Sequence, residues 1–90
     1  MIYITAIHMS GGAKHEHIER VRWENASTLK PGESSRQEIV RWLEESRENE
    51  ARVRSGTGSV QVGVVQASPP YIRTYANGSW SDNLLSLPRF

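Results

Sequence analysis

A chain of 90 residues can build a single small core and leaves no room for a separate catalytic unit, so one domain over residues 1–90 is expected. Cysteine is absent, which excludes a disulfide framework, a thiolate zinc site and a cysteine nucleophile. A net charge of +1 makes no general case for nucleic acid, yet residues 51–90 carry Arg52, Arg54, Arg73 and Arg89 against Asp82 alone and are the electropositive part.

Ile2 to Met9 alternates as a central strand would, with Ile2, Ile4 and Ala6 on one face and Tyr3, Thr5 and Ile7 on the other. It lacks a basic region followed by an apolar run, and no stretch approaches the roughly twenty apolar residues that span a bilayer. A membrane partner is therefore not expected, and the cytoplasm is the default location. Ser10, Gly11 and Gly12 make a turn before a second strand over His15 to Trp23. There Ile18 falls opposite Val21 and Trp23, so either a bulge interrupts the strand or only its second half pairs. The polar composition of Asn25 to Ser34 predicts an exposed loop.

Ser35 followed three residues later by Glu38 is a capping box, and Ile39, Val40, Trp42 and Leu43 then form the apolar stripe of a helix whose acidic residues face solvent. Ala51 to Arg54 and Ser59 to Gln66 predict a hairpin, with Val60, Val62 and Val64 on its apolar face. Gly56 and Gly58 lie in its turn; without a third glycine, a following helix or a Lys beside Ser or Thr they do not make a phosphate cradle. Pro69 and Pro70 break the chain.

Asn77 and Gly78 are the pair a two-residue hairpin turn needs, and they set Tyr75 opposite Trp80, Arg73 opposite Asp82 and Tyr71 opposite Leu84, all on one face. Asp82 or Asn83 then caps a short turn that Pro88 stops. The hairpin face reads either as a ligand platform or as the cover of a small core. His15 and His17, two apart on a strand, would share a face that His8 could join, but no other metal signature accompanies them and no metal or cofactor is expected. No nucleophile elbow or isolated carboxylate pair is present, so no catalytic residue is assigned.

Tyr3-Ile4-Thr5, Met9-Ser10-Gly11-Gly12, His15-Glu16-His17-Ile18, Val21-Arg22-Trp23, Ser35-Arg36, and above all Tyr71-Ile72-Arg73-Thr74 with Asn77-Gly78 and Asp82-Asn83-Leu84-Leu85-x-Leu87-Pro88 resemble a family of small bacterial and phage proteins known as a domain of unknown function. The resemblance covers nearly the whole chain and implies a compact α+β domain without an assigned activity. In size and element order the chain is also broadly similar to phage sponge proteins that sequester nucleotide immune signals without degrading them.

Together these readings predict an α+β fold, an antiparallel sheet of about five strands with one amphipathic helix packed on it. The function expected is non-catalytic capture of a small anionic ligand, such as a cyclic nucleotide or ADP-ribose-type signal. Arg22, Arg36 and Arg73 are the phosphate candidates, Arg36 because it opens a helix; Tyr71, Tyr75 and Trp80 are the stacking candidates, and Asn83 the polar reader. A homodimer or higher ring would enclose the ligand. The alternatives are a single-stranded nucleic-acid binder, a structural or protein-interaction subunit without ligand and, as the enzyme reading, a metal-dependent hydrolase.

Overall fold

In the computed structural model, which describes residues 1–76 and 78–90, the chain passes through β1 (Ile2–Met9), β2 (Ile18–Asn25), β3 (Pro31–Ser35), α1 (Arg36–Glu45), β4 (Ala51–Ser55), β5 (Gly58–Val65), β6 (Tyr71–Ala76) and β7 (Ser79–Ser81). Short 3₁₀ turns cover His15–His17 and Asn83–Ser86. Asn77, half of the expected hairpin turn, lies outside the described residues.

The strands form one sheet in the order β3-β2-β1-β4-β5-β6-β7, antiparallel at every step except between β1 and β4, which run parallel. This corrects the expectation of about five antiparallel strands: the sheet has seven and is mixed. Parallel neighbours need a crossover, and α1 supplies it by carrying the chain from β3 past β2 and β1 to the start of β4. The expected loop over Asn25 to Ser34 is also corrected, since β3 pairs along β2 from Arg20↔Ser35 to Glu24↔Pro31. An edge strand exposed to water carries no apolar alternation, and its sequence therefore looks like a loop.

Two register shifts between β1 and β2 reassign faces. The first, between Ile4 and Ala6, turns Ile7 inward beside Ile2 and Ile4, against the alternation expected for an unbroken strand. The second, between His8 and Met9, skips Glu19 and lets Ile18 and Val21 both be buried, the bulge that the imperfect pattern requires. His15 to His17 is not part of a strand.

At the start of α1 the capping box forms as predicted: the Glu38 amide donates to Ser35 Oγ at 3.1 Å and the Ser35 amide to Glu38 Oε1 at 2.8 Å. The bond from the Ser35 amide is the main reason the Glu38 carboxyl sits below the usual carboxylate range. Ile39 and Val40 are buried against the inner sheet face, with Trp42 and Leu43 packed at the margin.

β4 follows β1 only through Ile2↔Ala51 and Tyr3↔Arg52 before diverging. The C-terminal segment runs along the freed part of β1, where Arg89 bridges to Ile7, and the preceding 3₁₀ turn lies against β4 and β6 with Leu84 completely buried. The opposite sheet face has no α-helix on it among the described residues. Among the described residues no helix is long and apolar enough to cross a membrane.

Candidate functional site

Along β6 the side chains alternate: Ile72 and Thr74 are buried, while Tyr71, Arg73 and Tyr75 belong to the face away from the core. Tyr75 pairs with Trp80 of β7 as expected, and their rings meet edge to face with centroids 5.1 Å apart at 74°. Both are exposed, Tyr75 at 44% and Trp80 at 40%. The Trp80 ring reaches across β6 to Gly63 of β5, where a Cβ would stand 3.1 Å from Trp80 Cζ3. Glycine at that position lets the far edge of the ring come down close to the β5 backbone.

Arg73 lies beside these rings. Its Nε donates to the Ser81 carbonyl at 3.2 Å and its Nη2 to Asp82 Oδ1 at 2.8 Å, so the guanidinium is held in one direction along the end of β7. The expected Arg73–Asp82 pair exists, made by side-chain reach because Asp82 lies beyond the last paired residue, Ser81. The same Asp82 oxygen stands 3.7 Å from Nε2 of His15. His15 is only 8% exposed and its Nε2 is buried without a hydrogen-bond partner. Burial, and then the neighbouring Arg73 charge, hold the imidazole below its usual pKa against the opposing pull of Asp82 and Glu16, so His15 is neutral at pH 7.

The other residues named from the sequence are dispersed. Leu84 does not face Tyr71; it is in the core, and Tyr71 pairs with Val65 instead. Asn83 lies on the Thr74 side of the hairpin, where its Oδ1 accepts from Ser81 Oγ at 2.8 Å and its backbone N–H donates to Thr74 Oγ1 at 3.1 Å. It locks the ribbon to the core and is not a reader on the ring face. Arg36 donates from Nη1 to the Glu16 carbonyl at 2.6 Å, at the N-terminus of α1 and apart from the hairpin. Arg22 sits on β2, four strands away from β6, with its Cζ 4.1 Å from the Phe90 ring centroid. The three histidines do not meet: the His8 ring contacts the Phe90 main-chain oxygen, His17 packs against Gly12, and His15 faces Asp82. No group of three or more His, Asp or Glu able to hold a metal occurs among the described residues.

Sequence reasoning gave no site role to Tyr3, Arg52, Arg54 and Gly63, and set His15 on a strand face with His17 where the structure has it in a 3₁₀ turn against Asp82. Arg54 lays its Cζ 4.0 Å from the Tyr3 ring centroid and reaches across β1 to Glu24 Oε1 at 2.6 Å. Arg52 donates to Glu50 Oε2 at 2.8 Å and to Ser59 Oγ at 2.6 Å. Alternation in Ala51 to Arg54 was the available signal, since it puts Arg52 and Arg54 opposite the buried Ala51 and Val53. The chemistry offered is recognition: flat rings for stacking and guanidinium groups for anions, each paired with a carboxylate that an anionic ligand can displace.

A family model described as "Protein of unknown function (DUF3892)" matches residues 3–88. No curated protein and no solved structure matches the chain.

Proposed function

The chain belongs to this family of proteins of unknown function, and on that footing we propose that it is a non-catalytic module holding a flat anionic ligand of nucleotide type on the outer face of its C-terminal hairpin. One observation carries the proposal: the exposed Tyr75–Trp80 ring pair, with Trp80 seated on Gly63, shares its sheet face with Arg73, whose guanidinium direction is already set by Ser81 and Asp82. A base stacks on the rings while a phosphate takes the place of Asp82 at Arg73. The exchange is easy because an ion pair with an acceptor this exposed contributes only about 0–1 kcal/mol. Preorganised donors lower the ordering cost of binding.

Capture without turnover is the form of the function, similar to that of phage sponge proteins that remove nucleotide immune signals, and association of two or more copies over the open face is the way a chain this small encloses its ligand. Native mass spectrometry of protein purified from cells that make nucleotide signals reads both cargo and copy number. Bound nucleotide released intact by heat supports the proposal; a cleaved product excludes it. Arg73→Gln and Trp80→Ala should each weaken binding of the recovered nucleotide about ten-fold with melting temperature little changed. If Arg73→Gln lowers the melting temperature and leaves binding untouched, the pair is structural and the proposal fails.

A further inference from the structure

We infer that the ligand of this face is a single-stranded oligonucleotide lying across the strands, with a second base position at Tyr3 and Arg54; the inference rests on the nucleotide-binding reading of the hairpin. The cross-strand register is continuous. Glu24 pairs with Tyr3, Tyr3 with Arg52, Arg52 with Gln61, Gln61 with Tyr75, and Tyr75 with Trp80, so one row of side chains runs over six strands on a single face.

Rings stand near both ends of that row and a guanidinium lies beside each. At one end is the Tyr3 ring under Arg54, 4.0 Å from centroid to Cζ; at the other are Tyr75 and Trp80 beside Arg73. Between them lie Arg52 and the exposed amide of Gln61, a charge for phosphate and a donor and acceptor for a base edge. Three strand spacings separate Tyr3 from Tyr75, about 14 Å at roughly 4.8 Å each. A single nucleotide cannot reach both ring positions; at about 3.4 Å per stacked nucleotide the span corresponds to about four. Rings on a sheet face take unpaired bases, which a duplex keeps stacked inside. The carboxylates Glu24, Glu50 and Asp82 each hold one of the arginines in place and yield it to phosphate.

Fluorescence anisotropy with labelled oligo(dT) eight nucleotides long, competed by thymidine monophosphate and by a cyclic dinucleotide, tests this. Expected are an octamer affinity at least ten-fold above that of the monophosphate and a log–log salt slope of about −2, from three arginine–phosphate contacts on a single strand. Tyr3→Ala should weaken the octamer about ten-fold and leave the monophosphate unchanged, while Tyr3→Phe, which keeps the ring, should bind as the wild type does. Equal affinities for octamer and monophosphate, or an octamer indifferent to Tyr3→Ala, overturn the extended site while the hairpin site stands. A cyclic dinucleotide binding as tightly as the octamer and insensitive to Tyr3→Ala also overturns it, and returns the ligand to a compact molecule held by the hairpin alone. Failure of every nucleotide to bind removes both readings.

Discussion

Gly63→Ala separates the ligand surface from the stability of the fold. The added Cβ would stand 3.1 Å from Trp80 Cζ3 and 3.2 Å from Cη2, so the ring must give by a few tenths of an ångström. Trp80 is 40% exposed on the edge strand and is free to lift. Lifting weakens its edge-to-face contact with Tyr75, worth about 0.5–1.5 kcal/mol. Against this, alanine in place of a strand glycine stabilises by about 0.4–1 kcal/mol through the unfolded chain, and the Gly63 backbone is not left-handed. The two terms oppose each other, and the net change in unfolding free energy should lie between a gain of about 0.5 and a loss of about 1 kcal/mol. Ligand affinity, by contrast, should fall, because the ring is lifted from its seat on Gly63. Urea unfolding followed by far-ultraviolet circular dichroism reads the first quantity and nucleotide titration the second. A loss of stability of 2 kcal/mol or more would mean that the ring is a structural cover, and unchanged affinity would mean that its seat on Gly63 has nothing to do with binding.

Leu84→Ala empties a completely buried site under the 3₁₀ turn against β4 and β6 and should destabilise by about 2–5 kcal/mol in chemical unfolding; a loss under 1 kcal/mol would show that this turn is not part of the core. Gly32→Ala drives a Cβ into the Trp23 ring, which is also tied to Ser34 Oγ at 3.0 Å, so a destabilisation of about 1–3 kcal/mol and an altered Trp23 emission are expected. An unchanged melting curve for Gly32→Ala would contradict the pairing of β3 with β2. His15 has a pKa lowered by folding, so the unfolded chain binds more protons: its contribution to stability is complete above the unfolded value near 6.5 and is lost as pH falls below it. Replacing His15 by Gln should flatten the melting temperature between pH 7 and 5 relative to wild type, and parallel pH profiles for the two proteins would refute the assignment.

Features that depend on neighbours in the chain were legible in the residues. The Ser35–Glu38 box needs only a hydroxyl and a carboxylate three residues apart, and the opposition of Tyr75 and Trp80 needs only the length of the connection between them. Buried Val62 and Ile72 follow from strict alternation. Features that depend on partners distant in the chain were not. Pro31 to Ser35 is polar because an edge strand is wet, and only its bonds to β2 make it a strand. Asn83 faces the core side because Thr74 and Ser81 offer it partners there, which residue spacing does not reveal. Tyr3 belongs with Arg54 because β1 and β4 are neighbours, although some fifty residues separate them.

The amino-acid order by itself determined the helix and its cap, two hairpins, and the ring pair beside a guanidinium on the C-terminal ribbon, because hydrogen bonds and side-chain alternation within a few residues are the same in any surroundings. Tertiary structure decided the parallel seam between β1 and β4, the bulge that sends Ile7 inward, the burial of His15 against Asp82, and which arginines share a face. Each of these is set by which distant surfaces bury most apolar area while pairing every backbone group, a competition settled over the whole chain at once.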